Sequence, residues 1–207
     1  AGVIVLKDSS ANKCGVICSS FEIAAAQLVD AGTFLSIKPQ FVAEVLIRLR
    51  ELARREATLL FRARKKSPDT VMSDLSVLIS RTINRVTDAV DAGLGRVDTE
   101  EALARAEAWL PPSLRAAAGP NAASKLPAPY LRRLIATALS GDLVYREGVE
   151  YVRGLDDAAL CDLAVRYLRQ RARMQSLADA VLASGVADKS EVAKLLMAGG
   201  PRAALDD

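Results

Sequence analysis

Histidine is missing altogether from these 207 residues. With it go the commonest general base and the commonest metal ligand. Aromatic residues make up only 4% of the chain, while Ala, Leu, Val and Arg dominate, a mix that favours helix and fills its cores with aliphatic side chains. No apolar run approaches the roughly 20 residues that span a bilayer, so no membrane partner is expected. The first residues also lack the basic-then-apolar order of a secretory signal. Cysteine is sparse and odd in number: Cys14, Cys18 and Cys161 read as reduced thiols of a cytoplasmic protein. The formal charge of +3 is small and scattered, which gives no reason to expect nucleic acid as a partner. A Gly-rich phosphate loop is lacking too, since Gly93-Leu94-Gly95 and Gly199-Gly200 have neither the spacing nor a preceding strand. Finally, Ala1-Gly2 leads straight into an apolar run without an initiator Met, as expected of a piece of a longer chain.

What is present is mostly helical periodicity. Val3 to Leu6 is apolar at every position and reads as one strand, buried on both faces of a parallel sheet. A helix is expected from Val16 to about Ala31, closed by Gly32. Pro39 then suits the first turn of a long helix reaching about Lys66, with Val42, Val45, Leu46, Leu49, Leu52, Ala53 and Leu60 at spacings of three and four. Ser73 opens another, with Leu75, Leu78, Ile79, Ile83, Val86 and Val90 on one face and Gly93 as its stop. Asp98 and Glu101 form a capping box for the next, which ends before Pro111-Pro112. Residues 111–129 are proline-rich and predict a loop with at most a short helix near Leu114. A helix follows Pro129, broken at Gly141, and Asp156-Asp157 starts a long one to about Ser184. A last short helix covers Ser190 to Ala198.

Most chemistry-bearing groups have bland explanations. Cys14 and Cys18 are four apart, but two thiols without histidine or a second pair make a poor metal site, so none is expected. Cys161 falls on an apolar helix face and reads as core. The run Arg62-Ala63-Arg64-Lys65-Lys66 sits in the last turn of a helix, where the dipole favours cations. Trp109 reads as an anchor in a local core, and Asp156-Asp157 as a helix start. The exception is Lys7 to Glu22. There a loop of small hydroxyls, an amide and Gly15 runs into a helix whose free N–H groups suit a carboxylate or phosphate, with Ser19 and Ser20 one turn in. A plain strand–loop–helix connection is the other reading of the same residues.

The order of residues in this stretch, Lys7-Asp8-Ser9-Ser10-Ala11-Asn12-Lys13-Cys14-Gly15-Val16-Ile17-Cys18-Ser19-Ser20-Phe21-Glu22, resembles a pattern of the glutamate dehydrogenases, most closely of their large NAD-dependent members. Their form reads K-D-x-S-A-N-K-G-G-V-x-x-S-S-x-E, and Cys14 stands where the family has Gly. The likeness extends through the next two helices and is looser beyond about residue 95. It implies a mainly α fold, a multi-helix bundle with one N-terminal strand left over from a Rossmann-type nucleotide-binding domain. Residues 1–95 would end the dehydrogenase domain, and residues 96–207 would form a C-terminal helical region. By the same resemblance Asn12 lies near the NAD cofactor, Val16 lines the pocket for the substrate side chain, and Ser19 hydrogen-bonds the side-chain carboxylate of L-glutamate. The reaction implied is oxidative deamination to 2-oxoglutarate and ammonium by a cytoplasmic homo-oligomer. The family's catalytic Lys and Asp and its dinucleotide turn have no counterpart here, so the chain alone is expected to be inactive. The competing reading is a non-enzymatic helical interaction module that keeps an old loop sequence.

Overall fold

The computed structural model describes residues 4–11, 14–96 and 99–199. Among them are ten α-helices and no strand: α1 (Asp8–Ala11), α2 (Cys14–Leu28), α3 (Ala31–Lys66), α4 (Met72–Gly93), α5 (Thr99–Trp109), α6 (Pro112–Ala118), α7 (Ala128–Glu147), α8 (Val149–Arg153), α9 (Asp157–Ala183) and α10 (Lys189–Gly199). The expected mainly α, multi-helix bundle is what forms. Residues 4–7 carry no regular structure, and Ile4, Val5 and Leu6 are 55%, 70% and 46% exposed. The strand expected there is not formed. Its ladder hydrogen bonds and its two covered faces both require neighbouring strands, which the described residues do not supply.

Helix α3 is longer than its sequence suggested. Asp30 adopts an extended backbone and its carboxylate accepts the Thr33 backbone N–H at 2.9 Å, so the helix starts eight residues before Pro39. Gly32, expected as the C-cap of the preceding helix, lies inside the first turn of α3 instead. Pro39 therefore sits in a helix interior, where it has no N–H to donate to the Leu35 carbonyl. At 1.5 Å per residue the 36 residues extend about 54 Å. Its buried stripe is Phe41, Val45, Leu49, Glu56, Leu59, Leu60 and Ala63, while Val42 and Leu46 are more than two-fifths exposed.

The central layer is α4 against α7 and α9. Leu75, Ile79, Val86 and Val90 are buried on α4, and Leu78 and Ile83 pack at the edge of the same core, as the periodicity predicts. They meet Leu134, Ile135, Leu139 and Leu143 of α7 and Leu160, Leu163, Ala164 and Leu168 of α9 within one apolar cluster. The α4–α9 seam is tight at its end: a Cβ on Gly93 would stand 1.9 Å from the Cys161 Sγ. Cys161 is 5% exposed, in agreement with its core assignment.

Gly141 does not break α7, because a helical backbone needs no special φ there and the flanking Leu139 and Leu143 are both buried. The break comes at Gly148, whose φ of +88° only glycine adopts without strain. The proline-rich stretch forms α6 and a 3-10 turn (Ala122–Lys125), with Pro112 and Pro129 opening α6 and α7. Asp98 of the expected capping box lies outside the described residues. On the far side, α2 buries Phe21, Ala24 and Ala25. Phe21 stacks on Trp109 at 4.4 Å between ring centroids, which makes the tryptophan the expected anchor. The Tyr130 hydroxyl donates to the Ser20 carbonyl at 2.8 Å, tying α7 to the same helix.

Candidate functional site

The candidate site is built on the N-terminal half of α2. With Phe21, Ala24 and Ala25 facing the core, the 100° step per residue turns Val16, Ser19 and Ile23 to the opposite side. Val16 is 76% exposed and Ile23 48% exposed, with the exposed Ser19 between them. The structure thus places the two expected substrate residues, Val16 and Ser19, on one open face. Asn12, the expected cofactor contact, lies outside the described residues.

The Ser19 hydroxyl donates to the Gly15 carbonyl at 3.2 Å, and Ser20 does the same to Val16 at 3.1 Å. Both are back-bonds one turn down the helix, which hold the hydroxyls against the helix without consuming their acceptor lone pairs. Such a hydroxyl is free to rotate and donate to an incoming carboxylate, and the weak back-bond is given up in exchange. Around Gly15 a Cβ would meet nothing within 4 Å. Cys14 is the first residue of α2. Cys18 points its Sγ at the Glu22 carboxylate, 3.7 Å away. Among the described residues no group of three His, Cys, Asp or Glu side chains is placed to hold a metal.

The basic run ends α3 as expected: Arg64 donates to the Thr70 carbonyl at 2.6 Å and Lys66 lies 3.5 Å from Glu150. The polar feature that sequence reasoning missed is in the interior. Asp142 of α7 receives Arg55 of α3 at 3.0 Å, Arg105 of α5 at 2.8 Å and Arg171 of α9 at 2.9 Å. The Arg105 side chain is only 3% exposed and that of Asp142 10%. Burial pushes the Asp142 carboxyl upward, but the charges of Arg105, Arg171 and Arg55 outweigh it and hold the group below its ordinary range. A signal for it exists in the sequence, because Asp142 falls at i+3 in the Leu139–Leu143 apolar repeat, where a carboxylate needs internal partners. This hub joins four helices and stands apart from the exposed face of α2.

Three proteins resemble this chain along most of its length. The NAD-specific glutamate dehydrogenase of Saccharomyces cerevisiae is 27% identical over 177 residues, and the probable NAD-specific glutamate dehydrogenase of Schizosaccharomyces pombe is 30% identical over 164. Glutamate dehydrogenase 2 of Dictyostelium discoideum is 29% identical over 161. The chain is glutamate dehydrogenase-like. Each match covers 72% of the chain but only 15% of the relative, so the chain spans a small part of the length of the glutamate dehydrogenases it matches. No protein-family model matches it, and no solved structure does. Nothing in the described residues would cross a membrane as a helix.

Proposed function

We propose that this chain is the C-terminal part of an NAD-dependent glutamate dehydrogenase and supplies one wall of its substrate pocket. The similarity to NAD-specific glutamate dehydrogenases over 72% of the chain carries this reading. The open Val16–Ser19 face of α2 supports it. Val16 gives an apolar surface for the substrate methylenes, and Ser19, one turn into the helix, gives a hydroxyl donor for the side-chain carboxylate. On this reading the Val16–Ser19 face takes L-glutamate, and the family resemblance assigns Asn12 to the side of NAD. Bound NAD supplies the hydride acceptor for conversion of glutamate to 2-oxoglutarate and ammonium. The part played by α2 is to bind and orient the substrate carboxylate, while the proton-transfer groups belong to the rest of the enzyme. Exposed Ile4, Val5 and Leu6 fit a strand that pairs only within the complete nucleotide-binding sheet. In this reading residues 1–95 close the dehydrogenase domain, residues 96–207 form a helical region beside it, and the whole enzyme works as a cytoplasmic homo-oligomer.

Two measurements test the reading. The purified 207-residue chain with glutamate and NAD should form no NADH, and turnover belonging to this piece would contradict it. In the complete enzyme, Ser19→Ala should weaken transition-state binding of glutamate by about 1.5–3 kcal/mol, the value of a hydrogen bond to a charged group. Unchanged KM and kcat would remove Ser19 from the pocket.

A further inference from the structure

A cleft of about 500 Å³ opens between α3, the end of α7, α9 and the end of α10, on residues that the substrate reading does not use. Arg54, Arg55 and Arg62 of α3 and Arg146 of α7 line it. Two carboxylates, Glu51 and Glu147, share its walls, and both are occupied. Glu51 takes Arg48 at 2.8 Å and Arg55 on its other oxygen, and Glu147 accepts the Tyr167 hydroxyl. Arg55 is further committed to Asp142. The Tyr145 hydroxyl donates to Glu56 at 2.9 Å, and the Thr58 hydroxyl to the Arg54 carbonyl at 2.8 Å. That leaves Arg54, Arg62 and Arg146, whose side chains make no ion pair or hydrogen bond to another described residue. Arg54, Thr58 and Arg62 are spaced by four, so the two arginines stand about 12 Å apart along one helix face. Arg146 faces them from α7 and is half-buried.

We propose that this cleft binds a small molecule bearing a diphosphate. Three unpaired guanidiniums converge from two helices, and each offers a planar fork of donors that matches phosphate oxygens. A monocarboxylate brings one charge and two oxygens and leaves at least one fork unused, whereas a diphosphate brings several of both. The volume falls within the range of about 300–1,000 Å³ typical of ligand pockets. The walls come from four helices, and the cleft opens to solvent along the arginine face of α3.

Inorganic pyrophosphate is the probe, titrated calorimetrically at fixed ionic strength into the 207-residue chain and into the longest protein that carries this sequence. The expected result is saturable one-to-one binding in both. Arg62→Gln combined with Arg146→Gln should weaken it by about tenfold or more, with an unchanged far-ultraviolet circular dichroism spectrum. Lys38→Gln, exposed near the other end of α3, should leave it unaltered. The proposal is overturned by lack of saturation in either protein or by equal affinity in the double variant. It is also overturned if glutarate binds as tightly, which would make the cleft a general anion surface, or if a single-stranded oligonucleotide binds more tightly through the same arginines.

Discussion

Asp142 carries three guanidiniums on one carboxylate, and that arrangement decides what its loss would do. Replacing it with Asn leaves Arg105, 3% exposed, without a counter-charge in the core. Removing one partner of a buried pair costs about 3–5 kcal/mol, because the surviving charge remains buried. Urea unfolding at neutral pH should show a loss of that order for Asp142→Asn. The sign of the pH dependence follows from the carboxyl being held below its unfolded value of about 3.9. Its contribution is complete above that pH and is lost as pH falls towards the lower folded value. The wild-type chain should therefore lose stability below about pH 4 more steeply than the variant. Parallel acid limbs for the two proteins would mean that Asp142 does not anchor the hub.

Among the elements, α3 departs furthest from what its residues announce. A proline normally marks a helix start, and Pro39 placed the expected boundary eight residues late. The Asp30 cap and the buried Phe41 fix the helix further upstream, and packing along a 36-residue element outweighs one missing hydrogen bond. Pro39 is exposed, so Pro39→Ala should restore the bond to the Leu35 carbonyl without touching the core. The expected gain is up to about 3 kcal/mol, the interior cost of proline relative to alanine, read as a higher urea midpoint. A lower midpoint would show that the proline is matched to a local bend. Helix α4 was legible because its stripe repeats without interruption, although its N-cap is Val71 without a side-chain cap and the expected opener Ser73 lies inside it. The start of α9 was legible from its cap: Asp156 accepts the Ala159 N–H at 2.8 Å. Val3 to Leu6 was not, since its apolar pattern speaks for a sheet whose other strands are not among these residues. On α2 the exposure of Val16 and Ser19 follows from the helical period once Phe21 is known to be buried. The sequence order had pointed to these residues, but only tertiary packing fixes which way they face. The arginines of the cleft were hidden by the same limit, because α3 and α7 meet through the fold and not through spacing.

At the scale of the whole molecule, one apolar cluster runs from Phe21 on α2 to Leu168 on α9. The Phe21–Trp109 stack crosses the boundary at 95/96 that the family resemblance suggests. Trp109 is the single tryptophan of the chain, so its fluorescence reports the joint between the two regions. Fluorescence and far-ultraviolet circular dichroism should give coincident urea transitions, as expected of one cooperative unit. Two separated transitions would make residues 1–95 and 96–207 independent folding units. With coincidence, the proposed division is one of role, with the proposed substrate face on α2 braced by helices that lie far along the chain.

The absent side chain at Gly93 also gives the molecule a built-in clock. The Cys161 sulfur is pressed against that glycine and the residue is 5% exposed, so a thiol reagent should reach it faster whenever α4 and α9 part. Half-buried Cys18 lies outside the seam. The lag between modification of Cys18 and of Cys161, mapped separately from Cys14, therefore reports the opening of the central layer.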